Sequence, residues 1–207
     1  MKDSYQSIKN LTEGIYKEKG SKFLSFAYPV SNHDEIDKIL TLNRKKYYDA
    51  RHHCYAYILG GNKEIIKSND DGEPRHTAGD PILNQIKSLH LSNVLVIVVR
   101  YFGGTKLGKS GLINAYKIAA RDALEKVQLV QKYFLKNYRI DFAYEGTSQV
   151  MRIFQDNDLH IIEQNYEELC SIQFSVRETL ATSVISKLEK IKAITEISEV
   201  AREFTSS

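Results

Sequence analysis

The stretch NVLVIVVRYFGGTKLGKSGLINAY, residues 93–116, decides the fold of the first part of this chain. Its first eight residues are mostly apolar and have the length of a buried strand. A glycine-rich turn follows, and beyond it Leu112, Ala115 and Ala119 recur at helical spacing. The stretch therefore predicts a strand, a tight turn and a long helix in succession.

Residues 103–110, GGTKLGKS, satisfy the phosphate-loop pattern of nucleotide hydrolases, which fixes Gly103, Gly108, Lys109 and Ser110. Phosphoryl transfer with magnesium also needs an acidic residue at the end of a second apolar strand, and no such run follows the turn. The roughly 25 residues between the turn and the next group of elements are enough for one helix only. The context therefore argues against a nucleotide hydrolase.

Two interpretations of the glycine-rich turn remain. In the first, the turn exposes backbone N–H groups at a helix start, where Lys106 and Lys109 add positive charge, so that an anion can bind. In the second, the glycines let the turn pack tightly against a neighbouring strand. Both use the same four glycines, namely Gly103, Gly104, Gly108 and Gly111.

Five further elements precede this stretch. Apolar and aromatic alternation predicts strands, a face formed by Ile36, Ile39 and Leu40 predicts one helix, and Pro81 near a first turn marks another. The predicted order is a strand at 21–30, a helix at 32–48, a strand at 52–61, a short strand that runs into a turn at 63–75, and a helix at 80–92.

Residues 138–207 alternate as strand, helix, strand, strand, helix, strand. The alternation of Cys170, Ile172, Phe174 and Val176 with polar residues is typical of a half-buried strand. The second helix is predicted from the spacing of Leu180, Val184, Leu188 and Ile191. This order is that of a ferredoxin-like plait. We therefore predict an α+β protein with domains at 1–135 and 136–207.

Composition indicates an ordinary globular protein, with 42% apolar and 27% charged residues. The first residues are polar and no run of 18 apolar residues occurs, so we expect a cytoplasmic protein without a membrane partner. Cys54 and Cys170 are far apart and form no C-x-x-C pair, which predicts buried thiols rather than a zinc site or a disulfide.

The charge is unevenly distributed along the chain. Residues 1–135 carry 21 Lys and Arg against 14 Asp and Glu, a net +7, whereas residues 136–207 carry 8 against 12, a net −4. A basic first domain is compatible with a polyanion partner. The excess is too dilute to identify a nucleic-acid binder by itself.

An acidic turn, SNDDGEPRHTAGD, follows the short strand, and His52 and His53 lie on the strand before it. Carboxylates and imidazoles together can bind a metal, but adjacent residues on a strand point to opposite faces. The pattern favours a buried His52 and a surface His53 over metal ligation. An acid–base pair of Asp71 with His52 is the catalytic alternative. We expect no cofactor and no metal, and we assign no catalytic residue.

Two segments, SNDDGEPRHTAGDPIL and VIVVRYFGGTKLGKSGLINAY, resemble the signature segments of the IMPACT family in its bacterial YigZ-type branch. ARHHCYAY and KGSKFLSFAYPV are similar to other stretches of that family, so that the resemblance spans residues 17–125. The region 138–207 is similar to the small second domain of bacterial members.

The resemblance implies a first domain with the ribosomal protein S5 domain 2-like fold and a second domain similar to the plaits of elongation factors. It also implies RNA or the ribosome as a partner, a role in regulating translation or the stress response, and a protein partner in translation control. Eukaryotic members modulate the amino-acid starvation response.

The resemblance also implies a functional surface, with Arg100, Lys106 and Lys109 as anion-binding residues. His76 and the pair Lys109-Ser110 depart from the residues that the family usually carries at these positions. The positions that match the family signatures are Asp70, Asp71, Gly72, Glu73, Pro74, Thr77, Ala78, Gly79, Arg100, Tyr101, Phe102, Gly103, Gly104, Lys106, Gly108 and Gly111.

These observations leave two functions open. The first is a non-enzymatic protein that binds RNA or the ribosome, with Tyr101 or Phe102 available to stack a base. The second is a small-molecule or hydrolytic enzyme whose site joins the two turns, which requires Asp71, Glu73 and Lys106 to converge in one pocket.

Overall fold

The structure, a computed structural model, describes residues 3–166 and 169–200. They form two compact units. The first is Ser4–Lys132, and the second comprises Asp3 and the described residues from Tyr133 onward. Helices and several sheets make this a mixed α/β protein. In the described part of the chain, no helix is long and apolar enough to cross a membrane.

Strands and helices interleave along the first unit, and every element predicted there is present. The bounds are β1 (Ser4–Ile8), β2 (Thr12–Glu18), β3 (Ser21–Pro29), α1 (His33–Lys46), β4 (His52–Leu59), β5 (Ile65–Asn69), α2 (Gly79–Ser88), β6 (Val94–Tyr101), α3 (Gly108–Leu124) and β7 (Leu129–Tyr133).

The strand β6 is the centre of a five-stranded antiparallel sheet with the order β2-β3-β6-β4-β5. The even-numbered residues from Val94 to Val98 lie in one core with residues of α2 and α3. The odd-numbered residues from Leu95 to Val99 lie in a second core with Ile36 of α1. Because both faces are covered, the strand is continuously apolar, which is why the sequence reveals it so clearly.

Three strands, β1, β2 and β7, were not predicted from the sequence. In β2 only Gly14 is buried, so the strand lacks the apolar alternation that reveals the others. A Cβ on Gly14 would lie 2.6 Å from the backbone nitrogen of Ala123, and the missing side chain lets β2 lie against α3. Thr12 donates to the Ala123 carbonyl at 2.9 Å, and Asp122 accepts from the Ile15 N–H at 2.8 Å. Contacts with α3 therefore hold this edge strand.

The second unit has the predicted element order. A sheet with the order β11-β8-β10-β9 is antiparallel throughout. A 3-10 turn at Tyr144–Gly146 precedes its first helix. Its elements are β8 (Leu135–Ala143), α4 (Thr147–Asp156), β9 (His160–Tyr166), β10 (Leu169–Arg177), α5 (Glu178–Leu188) and β11 (Ile194–Val200).

The predicted alternation on β10 is confirmed, since Cys170, Ile172, Phe174 and Val176 are all buried. The prediction for one position of α5 is wrong. Leu180 is 44% exposed, and the neighbouring Ala181 is buried with Val184 and Leu188. Leu180 lies in the first turn of the helix, where the inward position three residues before Val184 belongs to Ala181.

Candidate functional site

The acidic turn between β5 and α2 is organised by the carboxylate of Asp70. Its Oδ1 accepts the backbone N–H groups of Ala78 at 2.9 Å and Gly79 at 2.8 Å, and its Oδ2 accepts that of His76 at 2.9 Å. A Cβ on Gly79 would lie 2.6 Å from the backbone nitrogen of Asn69, so the loop closes only with glycine there. Asp70 therefore builds the turn and is occupied by it.

Asp71 connects the same turn to its neighbours. Its carboxylate binds Arg44 of α1 at 2.7 Å and accepts the backbone N–H of His53 in β4 at 2.6 Å. Burial by itself would raise the pKa of Asp71, but these hydrogen bonds outweigh it and the pKa lies below its ordinary value. The next residue, Gly72, has a φ of +85°, in the left-handed region that glycine adopts without strain.

Glu73 forms a buried ion pair with Arg100 of β6. The Arg100 Nη1 lies 2.6 Å from the Glu73 Oε1, and the side chains are 7% and 4% exposed. The hydroxyl of Tyr116 in α3 donates to the same oxygen at 2.8 Å. The rings of Phe23 and Phe102 lie 5.5 and 5.6 Å from the guanidinium carbon. The acidic turn, the central strand and α3 thus meet at one carboxylate.

Cys54 lies behind this cluster. Its thiol is 3.3 Å from the Tyr116 hydroxyl and 3.0 Å from the Asp70 carbonyl. Burial raises the pKa of Cys54 and of Tyr116 well above their ordinary values. Both groups therefore stay protonated, and Cys54 is a buried structural thiol rather than a nucleophile. Cys170 is also buried, as predicted.

The glycines of the glycine-rich turn have different roles. Gly103 packs so closely on the backbone of Gly20 and Ser21 that a Cβ would overlap it, and its N–H is 3.1 Å from the Ser21 hydroxyl. Gly104 and Gly108 have φ angles of +86° and +72°, with open space where a Cβ would stand. One glycine therefore serves packing, and the other two serve backbone conformation beside an open surface.

A cavity of about 280 Å³ lies where the two turns meet. We call it the signature cavity. Its walls come from the acidic turn, the end of β6, the glycine-rich turn and the first turns of α3. They are Glu73, Pro74, Arg100, Phe102, Lys106, Leu107, Gly108, Lys109 and Leu112.

The signature cavity contains only part of the predicted surface. Asp70 and Asp71 are held by other partners, and Thr77, Ala78 and Gly79 are buried in the turn. Tyr101 packs with the core on the α1 side of the sheet, where its hydroxyl donates to Asp49 at 2.8 Å. Burial, with this hydrogen bond, raises its pKa to about 12. Outside the lining lie Asp70, Asp71, Gly72, Thr77, Ala78, Gly79, Tyr101, Gly103, Gly104 and Gly111.

The start of α3 faces this cavity with an unsatisfied backbone. Leu107 is the N-cap residue and provides no side-chain hydrogen bond, and the first turn contains no acidic residue. Lys106 and Lys109 are exposed beside it. Free N–H groups and the helix dipole make such an end electropositive. Lys106, Lys109 and the N-terminus of α3, which we call the rim of the cavity, therefore together produce a positive potential.

The environment of GGTKLGKS differs from that of a phosphate loop in nucleotide hydrolases. The preceding strand β6 is antiparallel to both of its neighbours, β3 and β4. The hydrolase motif connects a strand to a helix in a parallel βαβ sheet. This difference agrees with the sequence argument against a nucleotide hydrolase.

The prediction for the two histidines is wrong in its orientation. His53 is 5% exposed and its Nε2 lies 3.0 Å from the Tyr47 carbonyl, whereas His52 is half-buried. Because α1 covers the second face of the sheet, the residue predicted to face solvent is buried there. His52 contacts the backbone carbonyl of Asp71, at 2.9 Å, and not its carboxylate. The proposed acid–base pair is therefore not formed.

His76 interacts with Asp80 at 2.6 Å, and Asp80 also accepts from Ser68 at 2.7 Å. These hydrogen bonds, that of Ser68 first, hold the pKa of Asp80 below its ordinary value. Across residues 3–166 and 169–200, no three His, Cys, Asp or Glu side chains are placed to hold a metal ion.

The comparisons with known proteins agree on the family. Residues 19–124 match the Impact N-terminal domain. The chain is 31% identical over 178 residues to the IMPACT family member YvyE of Bacillus subtilis (strain 168). The matched residues make up 86% of this chain and 82% of YvyE. The IMPACT family member YigZ of Escherichia coli (strain K12) is 27% identical over 172 residues, with 82% and 84% covered.

The chain therefore belongs to the IMPACT family, and its similarity to bacterial members extends through both units. A crystal structure described as that of a hypothetical protein matches 98% of this chain and 100% of its own. Its TM-score is 0.75 at 24% identity, so that this similarity concerns the fold alone.

Three residues of the site were not predicted from the sequence. Tyr116 is buried on α3, and a hydroxyl on an apolar helix face was the available signal for a buried polar partner. Arg44 and Leu107 gave no comparable signal. Arg44 lies 27 residues before the aspartate that it binds, and only the fold brings them together.

The substitution Asp70→Ala leaves three backbone N–H groups of the turn without their acceptor. Because Ala78 and Gly79 are buried, we expect the free energy of unfolding to fall by about 2–4 kcal/mol in urea denaturation. Asp37→Ala removes a carboxylate from the exposed side of α1 and should change stability by less than about 0.5 kcal/mol. A loss of under about 1 kcal/mol for Asp70→Ala would contradict the assigned role.

The buried His53 should make stability depend on pH. Burial, and then the charge of Arg44, lower its pKa in the folded state, so that the unfolded chain binds the proton first as pH falls. The neutral, buried His53 therefore makes its full contribution to the free energy of unfolding above about pH 6.5. That contribution is lost as pH falls from there through the folded-state pKa. The stability advantage of the wild type over His53→Gln should therefore shrink between pH 7.5 and pH 5, measured by thermal unfolding. A difference that does not vary with pH would refute this.

Proposed function

We propose that this chain is a cytoplasmic, non-enzymatic protein that binds RNA or ribosome-associated nucleic acid at the signature cavity and so regulates translation or the stress response. Membership of the IMPACT family supports the proposed role in translation or the stress response. The cavity supports nucleic-acid binding, because it joins positive potential to an exposed aromatic ring.

The observation that carries the proposal is the electropositive rim. The charge of Arg100 is neutralised by Glu73 within the buried cluster, so that the rim gains its net charge from Lys106 and Lys109. The uncapped N-terminus of α3 adds about half a positive charge in the same place. Phosphate oxygens are the ligands that such an arrangement favours.

Phe102 is the residue that we expect to stack a base. Its side chain is 50% exposed, and the Arg100 guanidinium lies 5.6 Å from its ring centroid. Tyr101, the aromatic residue next to it, packs on the opposite side of the sheet. Aromatic side chains beside a basic groove are the common elements of single-strand binding sites.

We also propose the fold families and the domains that the resemblance implied. The sheet order β11-β8-β10-β9, with α4 and α5 in the connections, corresponds to a ferredoxin-like plait at 136–207. A ribosomal protein S5 domain 2-like fold is proposed for 1–135, and both folds occur in proteins that contact RNA.

A small-molecule or hydrolytic enzyme is the second candidate. Its supporting observation is that Glu73 and Lys106 line one small cavity, with a buried carboxylate that is linked to Tyr116. Asp71, the third residue of that hypothesis, is bound to Arg44 outside the lining. Turnover of a small molecule that is abolished by Glu73→Gln would favour this candidate.

The test replaces the two rim lysines together, Lys106→Ala with Lys109→Ala, and measures RNA binding by fluorescence anisotropy at several salt concentrations. Loss of two phosphate contacts should reduce the salt slope by about 1.4 and weaken binding about tenfold. The matched control is Lys38→Ala with Lys45→Ala, which removes the same charge from α1 on the opposite face.

The control pair should bind RNA nearly as the wild type does. Binding that is insensitive to salt, or equal weakening by both pairs of substitutions, would count against the signature cavity as the site.

A further inference from the structure

The lining of the signature cavity suggests what enters it. The cavity has a volume of about 280 Å³, and its walls combine apolar side chains with charged ones. Building on the proposed nucleic-acid function, we propose that the cavity receives one unpaired base of a single strand while the phosphate stays at the rim.

The walls suit a flat, mostly apolar group. Phe102, Leu107, Leu112 and Pro74 contribute ring and aliphatic surface from four different segments. A base presents two apolar faces and a polar edge, so that its faces can pack on these side chains. An isolated phosphate would gain nothing from them.

Hydrogen-bonding groups beside the cavity are incompletely paired. Both hydrogen bonds to Glu73 end on Oε1, and no donor to Oε2 exists among the described residues. Glu73 lines the cavity, and the edge of a base carries donors as well as acceptors. A donor on a bound base can therefore pair with the Oε2 of Glu73.

The rim is where the sugar-phosphate would lie. Lys106 and Lys109 line the cavity and are exposed, and the uncapped start of α3 lies beside them. A base inside and a phosphate outside require the nucleotide to be free of a pairing partner, because a paired base cannot leave its stack without breaking the pair. The cavity therefore selects single strands over duplexes.

The experiment compares an unstructured single-stranded 12-mer RNA with the same strand in a duplex, by fluorescence anisotropy at one salt concentration. We expect the full-length protein to bind the single strand about tenfold more tightly, as one stacked base provides. Leu107→Trp adds a bulky ring to the cavity lining and should remove this preference. Leu107→Met, which keeps the volume, should retain it.

Phe102→Leu provides a second variant at an exposed position, in case the tryptophan disturbs the start of α3. It should also weaken single-strand binding several-fold, whereas Phe102→Tyr should not. Equal affinity for duplex and single strand, with the lysine dependence intact, would overturn this inference and leave the proposed function standing. No binding of either RNA would overturn both.

Discussion

The buried ion pair between Glu73 and Arg100 is the constraint on which the rest of the site depends. Two opposite charges that are almost fully removed from water are stable only when each is closely paired, since breaking such a pair costs several kcal/mol. One partner lies in the turn after β5 and the other lies on the central strand. The pair therefore fixes the acidic turn over β6, and Tyr116 extends the constraint to α3.

The three acidic residues between β5 and α2 have three different environments. Asp70 satisfies the turn's own backbone, Asp71 holds the turn to α1 and β4, and Glu73 alone lines the cavity. Residue type does not distinguish these roles. Because the first two carboxylates stiffen the loop, the third is presented on a preformed wall, and little conformational entropy remains to be lost on binding.

The sequence predicted the fold where burial on one or both faces leaves a periodic pattern, as on β6 and β10. It failed at β2, an edge strand with one buried glycine, and at His53, whose burial depends on a helix that the alternation of β4 does not reveal. For the candidate site, the structure brings residues of the two signature segments together in one cavity where both turns meet. Which residues line the cavity could not be predicted from the sequence. Asp71 and Tyr101 are outside the lining because they bind Arg44 and Asp49, which only the fold brings near them.

The sheet order has a consequence for folding during synthesis on the ribosome. Two hairpins, β2-β3 and β4-β5, are local, but they meet only through β6, which pairs with β3 on one side and β4 on the other. At typical synthesis rates the ribosome needs about 2–6 s to travel from Asn69, where the second hairpin ends, to Tyr101. Throughout that interval both hairpins present an unpaired strand edge of the kind that chaperones shield.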